Sequence, residues 1–398
     1  MMDGILITNF GKSRCAAGKN SVSKLPDELE RLKVKKPMIV TDQNIAKLLK
    51  FNKTVEELKN NGFECVVYDG VTPNPKDIEV MEATAVYKEK ECDCVIGIGG
   101  GSSMDAAKGV SVMARHEGDI MDYGRSTPNR KFFVNGREPL ICIPTTTGTG
   151  SELSPHAVIT NTKKNNRKSD VQASIFYNDM FFLDPEFACT QPEETLRDTG
   201  IDALSHVIDS YTNKKMLSIK SPLHEAMTMQ CVKLIFENLR KVKATGGADL
   251  ESVLNMQWAA TFGGALLDLD ASAMHGLSGV LQKYRHEMTH GVSCGILMTA
   301  CMEYNLHTCP EKFAKMAENM GVDTRNLTDM QAAKASIKAV SELLEDIEFP
   351  KFADYKFTQK ELEEMSEISA GNSMMPLNPR PIKNKEDVLK IYNRANEE

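Results

Sequence analysis

The chain predicts an α/β fold joined to an all-α one. A parallel-sheet domain is expected over residues 1–188 and an all-helical domain over 189–398. Three observations carry this. Short β-rich runs alternate with helical runs through the first half of the sequence. After about Pro192, strand-like runs become scarce and long helical patterns take over. Two of the early runs end in glycine-rich or hydroxyl-rich turns, which suit the carboxyl ends of strands in an open sheet. At 398 residues the chain is also long for one core, so two domains are the default.

In order, PMIVT (37–41) reads as a strand and the run 45–62 as a helix. ECVVY (64–68) is the next strand, followed by the turn-rich VTPNPKD and a helix through 78–91. CVIGIGGG (94–101) is a third strand running into glycines, with a helix after it. LICIP (140–144) is a fourth, entering PTTTGTGSELS, and FFLDP (181–185) looks like a strand edge. Such alternation implies parallel strands covered by helices. Helical patterns then occupy 221–242, 250–267, 311–321, 330–347, 360–371 and 385–398. The boundary falls where LDPEFACTQPEE (183–194) supplies prolines and polar residues, and a site between the two domains is the expected arrangement. No internal repeat or low-complexity segment is evident.

Composition excludes several classes. The net charge is −7 with no basic tract, so nucleic acid is not an expected partner. No apolar run approaches the roughly 18 residues that span a bilayer, and the N-terminal apolar stretch is too short for a signal peptide. The 10 cysteines follow no framework spacing, which points to reduced thiols and a cytoplasmic location.

Gly99, Gly100, Gly101 and Ser102 follow a strand and open a helix. Glycines let the backbone approach a phosphate, and a helix start presents N–H groups to it. The run is not GxGxxG, and a plain strand-to-helix turn explains it equally well. Asp105 and Lys108 follow at helical spacing, where an acid in the first turn is also simply favourable to the helix. Thr145, Thr146 and Thr149 lie in the second polar loop after a strand. A hydroxyl-rich loop alone says little; two polar loops after separate strands of one sheet favour a nucleotide. Asp42 ends the strand PMIVT, where an acid accepts ribose hydroxyls and repels a 2′-phosphate, or else caps the next helix.

The run GIDALSHVIDSY holds Asp202 and His206 four residues apart with apolar residues at helical spacing. On a helix both side chains share one face, the geometry for holding a divalent metal. His275 in AMHGLSG and His290 in MTHGVSCGILM complete a candidate set of one carboxylate and three imidazoles. That set suits iron(II) or zinc with a position left open. Each histidine taken singly is more often a hydrogen-bonded core residue than a ligand.

These segments, together with Pro73-Asn74-Pro75, LDPE and Asn378-Pro379-Arg380-Pro381, resemble the iron-containing (group III) alcohol dehydrogenases nearly end to end. That family includes lactaldehyde reductase and the butanol and 1,3-propanediol dehydrogenases. The resemblance implies a dehydroquinate synthase-like fold, with an N-terminal nucleotide domain and a C-terminal metal domain. It implies Asp202, His206, His275 and His290 as metal ligands and Gly99 to Ser102 as a pyrophosphate loop. It also implies Asn74, Asp105, Thr145, Thr146, Thr149, Lys168 and Leu183 at the nucleotide site, and Asp42 as the acid that prefers NAD to NADP. A homo-oligomer, dimer or larger, is expected by the same analogy.

Two departures stand out. Many members carry a second histidine four residues after the first of the downstream pair, and here that position is Gly279. His286 is the candidate substitute for its catalytic proton relay. Asp268 and Asp270 stand where the family more often has Asn and Gly, either favouring a hydroxylated or cationic substrate or serving the fold. The expected activity is reversible hydride transfer between a small primary alcohol and NAD, with iron(II), or alternatively zinc, as Lewis acid. The rivals are a dehydroquinate synthase-like lyase, whose required basic cluster is not evident beside these histidines although Lys283 and Arg285 are near, a non-catalytic protein that kept the fold, and a zinc polyol dehydrogenase of the glycerol type.

Overall fold

An N-terminal hairpin that the hydrophobic pattern does not reveal, β1 (Leu6–Phe10) and β2 (Ser13–Ala17), starts the chain in the computed structural model, which describes residues 4–164, 167–267 and 270–397. The expected strands follow as β3 (Pro37–Val40), β4 (Val66–Tyr68), β5 (Cys94–Gly99) and β6 (Leu140–Pro144). A second unexpected hairpin, β7 (His156–Asn161) with β8 (Arg167–Gln172), forms a separate antiparallel pair before β9 (Met180–Leu183). The main sheet has the order β1-β2-β9-β6-β5-β3-β4 and is parallel except for β1. The FFLDP segment is therefore not at an edge: β9 lies between β2 and β6, because β1 and β2 extend the sheet beyond it.

Every residue of β3, β5, β6 and β9 is buried, as strands covered on both faces must be. Ile39, Ile96, Ile98, Ile141, Ile143 and Phe182 form one core with Leu25 and Leu29 of α1 (Leu25–Arg31) and Phe51 and Leu58 of α2 (Leu49–Asn60). Burying each such side chain contributes roughly 1.5–3 kcal/mol. Strand alternation turns Gly97 to the opposite face. There α4 (Gly101–Met113) lies so close that a Cβ on Gly97 would meet Ala107 at 2.9 Å. α3 (Asp77–Glu89) packs on α4, and the short α5 (Pro185–Ala188) follows β9.

The chain divides into two compact units. One runs to Thr146 and includes Gly150–Gln191; the other comprises Thr147–Thr149 and everything from Pro192 onward. In the second unit the described residues hold no strand. Its helices are α6 (Glu193–Thr212), α7 (Lys214–Ile219), α8 (Pro222–Thr245), α9 (Leu250–Leu266), α10 (Ala273–Tyr284), α11 (His290–Asn305), α12 (Pro310–Asn319), α13 (Asp329–Asp346), α14 (Gln359–Ala370) and α15 (Lys385–Asn396). α6 is its centre, in contact with α8, α9, α10 and α11. From Ile201 to Thr212 every residue of α6 is buried, so it shows no one-sided apolar stripe. No described helix is long and apolar enough to cross a membrane.

Candidate metal centre and nucleotide loops

The buried face of α6 carries Asp202, His206 and Asp209, at spacings of four and three residues. His275 sits in the first turn of α10 and His290 is the first residue of α11. Donor nitrogens of His206, His275 and His290 lie within 4.8 Å of one another. The rings of His206 and His275 stack at 5.1 Å, and His290 stands 5.4 Å from His275. Asp202 Oδ1 is 3.7 Å from Nε2 of both His206 and His290. The four residues expected to hold a metal therefore meet in one place.

Three buried atoms here, Asp202 Oδ1, His206 Nδ1 and His275 Nε2, have no hydrogen-bond partner. Buried polar groups left unpaired cost roughly 1–3 kcal/mol each, so a cluster of them fits the binding of a cation. Burial is the main cause that holds His206 down to about 4; Asp202 opposes this, and the neighbouring His275 and His290 reinforce it. A neutral imidazole with its lone pair available is what a metal needs. Access is one-sided: the His290 side chain is 38% exposed, against 5% for His206 and 9% for His275.

Asp209, which the sequence reading passed over, fixes this arrangement. Its Oδ2 accepts from His275 Nδ1 (2.8 Å), His275 N–H (3.2 Å) and Ser272 N–H (2.8 Å), while Oδ1 takes the Ser272 hydroxyl. One carboxylate thus caps the start of α10 from outside, where no side chain of its own does so, and engages His275 through Nδ1, leaving Nε2 available. Burial opposes its ionisation, but the hydrogen bonds from His275 and Ser272 outweigh that and hold Asp209 below the usual carboxylate range. The signal was present: Asp209 is three residues after His206 in the same run.

The start of α11 is set by contact with α6. Thr289 caps the helix through Val292 N–H and donates to Asp198 Oδ2. At the next position after His290, a Cβ on Gly291 would lie 2.0 Å from the Asp198 carbonyl oxygen. Only glycine lets the two backbones come this close and bring His290 to Asp202. Cys294, one turn on from His290, is fully buried with Sγ 3.8 Å from His290 Nε2.

In the first unit, Asp42 follows β3, and Gly99 ends β5 with Gly100 and Gly101 leading into α4; the two strands pair in the sheet. Chain order reverses here: β4 lies beyond β3 on one side and β5 on the other, which is where open sheets bind ligands. Gly99 has φ +152, and a Cβ on it would meet Ser103 Oγ at 2.4 Å. α4 begins at Gly101 with no side-chain cap, so its first N–H groups suit an anionic diphosphate. Asp42 Oδ1 caps the following turn through Asn44 and Ile45 N–H, while Oδ2 faces Gly99. Both readings of Asp42 are thus compatible. Asn74, in the left-handed region at φ 57, donates its N–H to Ser102 Oγ. Thr145 N–H bonds the Gly99 carbonyl, and Thr146 lies against Gly100, its Oγ1 buried without a partner. Thr149 is half-buried in the same loop.

Other expected site residues stand differently. Asp105 is committed to the fold: its carboxylate accepts from Ser151 Oγ and Val158 N–H beside the buried Lys108. Leu183 ends β9 fully buried, so it packs in the core. Lys168 lies on the outer side of β8, opposite Thr160. His286 is exposed in the turn after α10 and lies outside the histidine group. Asp270 is structural: at φ 64 it pairs with Lys215 and its carbonyl accepts from Asn213. Asp268 lies outside the described residues. Arg285 pairs with Glu361 and lies over the Phe357 ring, so it does not build the basic cluster a lyase would need.

Comparison with known proteins agrees with this geometry. The profile described as iron-containing alcohol dehydrogenase matches residues 12–185, and the C-terminal profile of the Fe-containing alcohol dehydrogenase family matches 197–396. The chain is 33% identical to the choline dehydrogenase of Bacillus subtilis, covering 92% of this chain and 90% of that one. It is 32% identical to the 1,3-propanediol dehydrogenase of Citrobacter freundii, covering 95% and 96%. The solved structure of an alcohol dehydrogenase from Oenococcus oeni superposes with a TM-score of 0.88 at 31% identity, covering 98% and 99%. With its two halves matched in order, the chain belongs to the iron-containing alcohol dehydrogenase family, whose members are oxidoreductases of alcohols and aldehydes.

Proposed function

We propose that the chain is a metal-dependent, NAD(H)-linked dehydrogenase that interconverts a small primary alcohol and its aldehyde. The observation that carries this is the buried corner where Asp202, His206, His275 and His290 converge with three polar atoms lacking partners. These four side chains would hold the ion, iron(II) first and zinc as the alternative, since one carboxylate and three imidazoles accept either. When bound, such an ion supplies Lewis acidity to a substrate oxygen, and the dinucleotide exchanges the hydride.

The chain's own residues do the rest. Asp209 holds the His275 ring so that Nε2 faces the cluster. Burial keeps His206 neutral, and the more open side at His290 admits substrate. The N–H groups around Gly101 take the diphosphate, and Asp42 accepts ribose hydroxyls and repels a 2′-phosphate, favouring NAD over NADP. The lining around Gly279 contributes no imidazole; a Cβ there meets nothing within 4 Å. Choline and 1,3-propanediol, named for two relatives, are both small primary alcohols, which supports that substrate class. All ten cysteines are free, which supports a reducing, cytoplasmic setting, and the family analogy supports a homo-oligomer, dimer or larger.

The test is a panel of short alcohols and aldehydes with NADH and NADPH, run on protein loaded separately with iron(II) and zinc. NADH-dependent aldehyde reduction is expected, and none on any aldehyde would sink the reading. His275→Ala should lose metal and activity together; wild-type activity in that variant would refute the ligand assignment.

A further inference from the structure

The ion-binding corner holds one donor more than the four considered so far. Asp202, His290 and Cys294 form a second group whose ligand atoms lie within 4.8 Å of one another, sharing His290 with the three-histidine group. Cys294 lies on the same face of α11 as His290, one turn further in, and is fully buried. The distances match a shared ion. Bonds of about 2.3 Å to sulfur and about 2.1 Å to nitrogen at a tetrahedral angle set the two donor atoms roughly 3.6 Å apart. Cys294 Sγ and His290 Nε2 are 3.8 Å apart. The carboxylate on the other side of this group is itself waiting for a partner: Asp202 Oδ1 is buried and accepts no hydrogen bond.

From these contacts we infer that Cys294 is a sulfur ligand on the Asp202 and His290 side of the metal site. The inference rests on the metal site proposed above and adds to it the softness of the donor set. Imidazole and carboxylate alone accept iron(II) and zinc alike, whereas a thiolate shifts preference towards the softer ions. A sulfur donor at this position raises the standing of zinc against iron(II) without excluding either.

The test uses full-length protein loaded with cobalt(II) or zinc. Cobalt-loaded wild type should show a near-ultraviolet sulfur-to-cobalt charge-transfer band, absent from Cys294→Ser and Cys294→Ala. Zinc-edge X-ray absorption of the wild type should show a sulfur shell at about 2.3 Å. Zinc affinity of both variants should fall about tenfold relative to iron(II). An ion bound by the wild type through nitrogen and oxygen alone overturns this inference and leaves the metal site standing. A wild type that binds no ion overturns both. Should both variants fail to fold, the X-ray absorption of the wild type decides by itself.

Discussion

Replacing Asp209 tests how the protein aims a ligand it does not touch the metal with. In Asp209→Asn the amide can set its oxygen where Oδ2 stands, still accepting from Ser272 N–H, His275 N–H and His275 Nδ1. Its NH₂ then faces the Ser272 hydroxyl, which can turn to accept. Geometry survives and charge is lost. A hydrogen bond to a charged acceptor is worth roughly 1.5–3 kcal/mol and a neutral one roughly 0.5–1.5. The difference of about 1.4 kcal/mol corresponds to about tenfold weaker metal binding. Asp209→Ala removes the acceptor altogether. Three buried N–H groups are orphaned, each costing about 1–3 kcal/mol, so the α10 start and the His275 ring should both loosen. Metal affinity there should fall by about a hundredfold or more, with a clear loss of thermal stability. A zinc titration against a competing chelator, paired with thermal unfolding, reads both effects. Equal affinities for wild type and Asp209→Asn, or equal losses for the Asn and Ala variants, would refute the division into charge and geometry.

Three further outcomes follow from the same contacts. The folded protein holds His206 near 4 against an ordinary 6.5, so the unfolded chain takes up this proton first. The stability it contributes is full above about 6.5 and is lost as pH falls towards about 4, up to roughly 3 kcal/mol. Urea unfolding of metal-stripped protein at the two ends of that window should show the loss, and His206→Gln should remove part of it; an identical acid dependence in the variant counts against this. Gly99→Ala meets both a left-of-ordinary φ of +152 and Ser103 Oγ at 2.4 Å, so dinucleotide binding measured by fluorescence should fall at least tenfold; unchanged binding would show that the loop gives way. Gly279→His enters open space and should leave the melting temperature within a few degrees of wild type; a large drop would show that the space is not free.

The parts legible in the sequence are those with a local period. β3, β5 and β6 appear as unbroken apolar runs because both faces are covered, and Asp202 with His206 appears because four residues is one helical turn. β1 is hidden by its largely exposed residues, β2 by its short run of small buried ones (Cys15, Ala16 and Ala17), and β8 reads RKSDVQ, with a single buried residue. Pairing, not apolarity, makes it a strand. Asp209 serving α10, Asp105 holding β7 and Arg285 taking Glu361 are contacts across 50 residues or more, which no spacing rule reports. The exposure of His286 was equally invisible, since a short turn between two helices decides which way it faces.

Gly291 carries a consequence for how this protein tolerates change. The separation of Asp202 from His290 is gauged by two main chains pressed together at the Asp198 carbonyl, with no side chain between them. Packing elsewhere in the bundle can drift over generations, by a methylene here or a ring there, without altering that spacer. Substitutions that retune the pocket are thus separable from those that retune the grip on the ion, and a laboratory search for new substrates can vary the first while leaving the second untouched.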